Sequence, residues 1–144
     1  MTYDPIQAAA RITLPSWDLR GKHRDLAKRR VDIVYVMIRE FEFARDWADK
    51  VGADIGRDDW PSALLACGNV QNAVDSAVRK ANVAASLGLW CLASEALFGT
   101  YSHALTQLNL AVSRNPPKGI ARPMTKCRDR IAREFAKLCE DMTD

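Results

Sequence analysis

Hydrophobic positions recur at three- and four-residue steps in four long segments of this chain, the spacing of helices that bury one face. From about residue 22 to about 51, Leu26, Ile33, Met37, Phe41, Ala44, Ala48 and Val51 fall within an arc of about 80° at 100° per residue. Inside that segment, Val31–Ile38 is apolar at seven of eight positions and rich in β-branched side chains, which also suits a buried strand. Length decides for a helix, because the 3.6-residue pattern runs several turns further than common strands extend. The stretch VGADIG, residues 51–56, is expected to end it.

Asp58-Asp59-Trp60-Pro61 opens the second segment, with carboxylates ahead of the first turn and proline inside it. From there Ala63, Cys67, Val70, Val74, Ala77, Ala81 and Ala84 step by 4, 3, 4, 3, 4 and 3. Such a heptad of small residues lets neighbouring helix backbones approach along its whole length, so a helix over 60–86 packs closely on others. Ser86-Leu87-Gly88 breaks it from a third helix over 89–114. The run NPPKGIARP, residues 115–123, reads as a loop because of its prolines and glycine. A last helix over 125–142 carries a stripe of Cys127, Ile131, Phe135, Leu138 and Met142.

These elements predict an all-α fold, an antiparallel four-helix bundle with residues 21–144 as one domain. Ahead of it, residues 1–20 read as a short N-terminal helical arm: Asp4-Pro5 starts a helix over IQAAARI, and Trp17 anchors it to the body.

A length of 144 residues with 48% hydrophobic and 27% charged positions fits one soluble domain and excludes disordered or low-complexity classes. No 18-residue stretch lacks charged or strongly polar groups, and no export signal is present, so a cytoplasmic protein without a membrane role is expected. Cys67, Cys91, Cys127 and Cys139 form no CxxC pair and lie far from His23 and His103, so neither a zinc site nor a disulfide framework is expected. No phosphate-binding glycine loop, nucleophile elbow or Glu-x-x-His pair occurs, and no cofactor or metal is expected. The one catalytic arrangement the sequence suggests is a polar pocket of Glu40, Glu95 and His103 inside the bundle. Without a carboxylate beside the histidine in sequence, the non-enzymatic reading is preferred.

Charge distribution changes the picture more than the net +3. Residues 11–30 hold seven bases and two acids, and 118–137 hold seven and two again, whereas 39–59 hold four bases and seven acids. If the first and last helices are antiparallel neighbours, the basic start of each faces the acidic end of the other. If they are not, the basic clusters 20–30 and 118–137 can contact phosphate through Arg20, Lys22, Arg24, Lys28, Arg29, Lys126, Arg130, Arg133 and Lys137. That gives the alternative function, a small RNA- or ssDNA-binding subunit of a nucleoprotein complex.

The third helix is apolar on every side and must be enclosed, which a four-helix monomer does not obviously supply. The preferred function is therefore a non-enzymatic interaction or assembly subunit. It docks a protein partner or a second copy through helices 2 and 3, with Trp90, Leu92, Leu97, Phe98, Tyr101, Leu105 and Leu108 as the interface.

Overall fold

The structure, a computed structural model, describes the backbone of residues 22–143, with side chains from Asp25 onward. The arm over 1–20, with Trp17 and Arg20, lies outside the described residues. Four helices, α1 (Lys22–Gly56), α2 (Trp60–Ser86), α3 (Trp90–Ser113) and α4 (Ala121–Thr143), account for nearly all of the described chain. No strand occurs among the described residues, so Val31–Ile38 is helical.

The small-residue heptad of α2 organises the bundle. Ala63, Cys67, Val70, Val74, Ala77, Ala81 and Ala84 are all fully buried. Short side chains there let α1 pack along α2 and let α3 reach the same core. From α1, Val34, Met37, Phe41, Ala44, Ala48, Val51 and Ile55 face this seam and are buried. Burying each large aliphatic side chain of this kind stabilises the fold by about 1.5–3 kcal/mol.

Helices α2 and α3 are central. Helix α1 covers them from one side and α4 from the other, and α1 and α4 do not touch. Much of the all-round apolar α3 is thus covered by the chain's own α1, α2 and α4, while Phe98 and Leu110 remain exposed. The separation of α1 from α4 also removes the premise of charge neutralisation between the first and last helices.

Helix ends follow from local chemistry. Asp58 takes a left-handed conformation (φ 56°) after α1, and Asp59 caps α2 by accepting the Ser62 backbone N–H at 3.3 Å. After α2, Gly88 turns the chain at φ 82°, and the Arg30 Nε–H donates to the Leu87 carbonyl at 2.8 Å. Arg30 thus satisfies an orphan carbonyl at a helix end.

Two boundaries differ from expectation. Helix α1 runs on through Gly52 to Gly56, because Val51 and Ile55, one turn apart, both belong in the core and outweigh the weak helix preference of two glycines. Helix α4 starts at Ala121 rather than near Thr125. Pro123 falls in its first turn, where a missing N–H costs nothing, and Met124 is buried as the first core residue of that helix.

Candidate functional site

Because α4 rests mainly on α3 and touches α2 lightly, a groove remains between α2 and α4 with α3 as its floor. Its larger part, about 580 Å³, has an apolar base of Val78, Trp90, Leu97 and Leu138 and a rim that includes Arg79, Lys137 and Asp141. A smaller pocket of about 350 Å³ lies between Gly68, Gln71 and Asn72 of α2 and Lys126, Cys127 and Arg130 of α4. Arg130 lines both.

A chain of polar contacts crosses the groove between them. The Gln71 amide N–H donates to Asp75 at 3.0 Å, and Arg130 donates to Asp75 and Glu134, each at 3.2 Å. The Tyr101 hydroxyl donates to Glu134 at 3.4 Å. Burial, and then the neighbouring Glu134 carboxylate, push the Tyr101 phenol above its ordinary range. The amide oxygen of Gln71 is buried and has no protein partner. These contacts tie α2, α3 and α4 together through long side chains where α1 and α2 meet through alanines.

At the smaller pocket the Cys127 thiol donates to the Cys67 carbonyl at 3.3 Å. As a thiolate, Cys127 would give up that bond and accept one from the Cys67 thiol. This contact, opposed by burial and assisted by Arg130, draws Cys127 below the ordinary thiol range, while the same contact together with burial pushes Cys67 up.

A second surface lies on α1. Leu26, Ile33, Val36, Glu40, Phe43 and Trp47 step by 7, 3, 4, 3 and 4, a heptad stripe that shares Leu26 and Ile33 with the inner arc and runs along its edge. Val36 is 42% exposed and Phe43 45%, with Ile33 and Trp47 half-buried beside them. Arg39 lies over the Phe43 ring at 5.7 Å. Helix α1 has 35 residues, about 52 Å, against about 40 Å for the 27 of α2. Its first two turns therefore extend past the end of α2, and Leu26 there is 36% exposed.

The residues singled out from sequence divide as follows. Leu92, Leu97, Tyr101 and Leu108 are buried within the chain, Trp90 and Leu105 are half-buried, and Phe98 is exposed, its ring 5.1 Å from that of Phe135. Trp90, Leu97 and Tyr101 line the large groove. Of the phosphate candidates, Lys28, Arg29, Lys126, Arg130, Arg133 and Lys137 are exposed. The side chains of Lys22 and Arg24 lie outside the described ones. Arg30 meets Leu87 at the end of α2, while the basic residues of α4 run from Lys126, beside Gly68 near the start of α2, to Lys137, which lines the groove with Asn82 and Trp90.

Glu40, Glu95 and His103 are not brought together. His103 Nε2 pairs with Asp49 Oδ1 at 2.7 Å, and Asp49 is half a turn of the wheel away from Glu40. Glu40 therefore points away from α3, and Glu95 is exposed. Among the described residues no three His, Cys, Asp or Glu side chains gather as a metal site, and no helix is long and apolar enough to cross a membrane.

Sequence reasoning missed the groove and the α1 seam. The seam had a signal in its 3–4 spacing, masked by Glu40 within it and by the apolar run around it. No protein-family model matches the chain, and no curated protein and no solved structure is similar to it.

Proposed function

We propose that this protein is a non-enzymatic helical assembly subunit that pairs with a second copy of itself through the outer seam of α1. The carrying observation is that Leu26, Val36 and Phe43 are exposed in one apolar stripe of α1, with half-buried Ile33 and Trp47 between the stripe and the core.

Charge favours a second copy as the occupant. Asp25 stands at the start of this stripe and Lys50 at its end, so an antiparallel copy brings opposite charges together at both ends. An antiparallel pair with its two-fold axis at the level of Ile38 sets Ile33 against Phe43, Arg29 over Trp47 and Asp25 beside Lys50 of the other copy. Glu40, the polar group in the seam, then fixes register at some cost in stability. Helices α2 and α3, expected from sequence to dock the partner, act in this reading as the core that holds α1 straight. An antiparallel up-and-down order of the four helices belongs to the reading. Contacts of Tyr101 with Glu134 and of Asn109 with Arg128 support opposite courses for α3 and α4.

Cross-linking tests the pairing. In a background with Cys91 and Cys139 changed to Ser, a mixture of Ile33→Cys and Phe43→Cys chains should form the mixed disulfide ahead of either symmetric one. Preference for the symmetric Ile33→Cys product would overturn the antiparallel register.

RNA or ssDNA binding keeps one specific support: Lys126, Arg133 and Lys137 are exposed and make no ion pair among the described residues. Steeply salt-dependent binding of a labelled oligonucleotide, lost in the triple charge reversal of those residues, would establish it.

A further inference from the structure

The contact between Cys67 and Cys127 joins two helices at a place where an open pocket reaches one sulfur and the core holds the other. We propose that Cys127 and Cys67 are a peroxide-oxidisable thiol pair, whose intramolecular disulfide pins the start of α4 to α2. Cys127 is partly exposed and lines the 350 Å³ pocket, which is large enough to admit a small hydroperoxide. Cys67 is fully buried, its carbonyl accepts from the Cys127 thiol at 3.3 Å, and its own thiol lies within hydrogen-bond reach of the Cys127 sulfur. The arrangement assigns the attacking role to the first and the resolving role to the second.

The steps balance as follows. The Cys127 thiolate attacks one oxygen of the hydroperoxide, the O–O bond breaks, and the departing oxygen leaves as water or alcohol after taking a proton. Cys127 is then a sulfenic acid. Cys67 gives up its proton as its sulfur attacks that of Cys127; the S–S bond forms, the S–O bond breaks, and the hydroxyl leaves as water. Two thiols are oxidised by two electrons and the hydroperoxide is reduced by two. The Arg130 guanidinium, which lines the same pocket, favours the thiolate that starts the sequence.

Geometry sets this pair apart from the other cysteines. Cys139 lies twelve residues after Cys127 on the same helix, about 18 Å along its axis, beyond the reach of any disulfide. Cys91 is exposed at the start of α3. Closing the pair ties the loosely seated α4 to the central helix, so the oxidised chain should resist unfolding more than the reduced one.

The test uses the full chain carrying C91S and C139S, treated with stoichiometric hydrogen peroxide and read by intact mass and thiol count. The expected result is a loss of about 2 Da with both thiols consumed, faster in the native protein than in urea, and reversed by dithiothreitol. Adding C67A should replace that product by a Cys127 sulfenic acid, about 16 Da heavier and trapped by dimedone. Two surviving thiols after treatment, a disulfide between chains, or equal rates in native and urea-unfolded protein would each overturn the proposal. These readouts need only the C91S/C139S chain, so they stand even if C67A fails to fold.

Discussion

Helices α3 and α1 invert what their compositions suggest. Helix α3 is apolar on nearly every side, and three neighbours share most of that surface, leaving Phe98 and Leu110 exposed singly. Helix α1 is amphipathic and rich in charge, yet beside its buried arc it carries an apolar stripe in which Leu26, Val36 and Phe43 stay exposed. Position in the bundle, more than hydrophobic content, decides which helix is left with an unsatisfied face. A central helix absorbs apolar side chains on all sides, whereas a flanking helix can bury only one arc.

That contrast can be broken at its strong end first. Leu108 is fully buried at the centre of α3, and Leu108→Ala should cost about 2–5 kcal/mol in chemical denaturation, with the spread set by how far the cavity collapses. Enclosure of α3 depends on the small seam of α2, so Ala77→Leu should cost about 1–3 kcal/mol through overpacking. The next residue gives the control. Val78 lines the groove, and Val78→Leu should stay within about 0.5 kcal/mol of the parent, because the added methylene has room.

A smaller effect is expected at the α1–α2 turn. Asp54 has no accessible surface, but its cover is two flexible partners, Lys50 at 3.1 Å and Arg57, both substantially exposed. Burial alone would raise its carboxyl; hydrogen bonds from Lys50 and Arg57 outweigh that and hold it below the ordinary range. A depressed folded-state pKa adds stability above the unfolded value near 3.8, and this is lost as pH falls through the folded value. Asp54→Asn should therefore cost about 1 kcal/mol at neutral pH, solvent screening included, and the gap to the parent should close in the acid limb of a pH–stability profile.

The faces of the helices were legible in the sequence; their neighbours were not. Every member of the α2 heptad from Ala63 to Ala84 is buried, because period alone fixes which side chains share a stripe. Period does not say which stripe meets which. The charge pattern invited pairing of the first and last helices, but those two lie on opposite sides of the α2–α3 centre. Arg30, inside the basic cluster 20–30, serves a carbonyl 57 residues away, a contact that no spacing along the chain announces. Pro123 read as a loop residue because a proline cannot reveal from sequence whether it stands before a helix or inside its first turn. The groove was hidden for a related reason. Asp75, Arg130 and Glu134 look like ordinary solvated charges until α2 and α4 are placed beside one another.

Phe43 marks the weak end of the contrast and the most informative one. On an exposed face, Val36→Glu with Phe43→Glu should leave the melting of dilute monomer within about 0.5 kcal/mol of the parent. Sedimentation equilibrium of the parent and of this double variant, over a concentration series at moderate salt, tests the central claim directly. The parent should move from monomer to dimer as concentration rises, and the variant should remain monomeric throughout. A parent that stays monomeric, or a variant that dimerises as the parent does, would contradict self-association through the outer seam of α1.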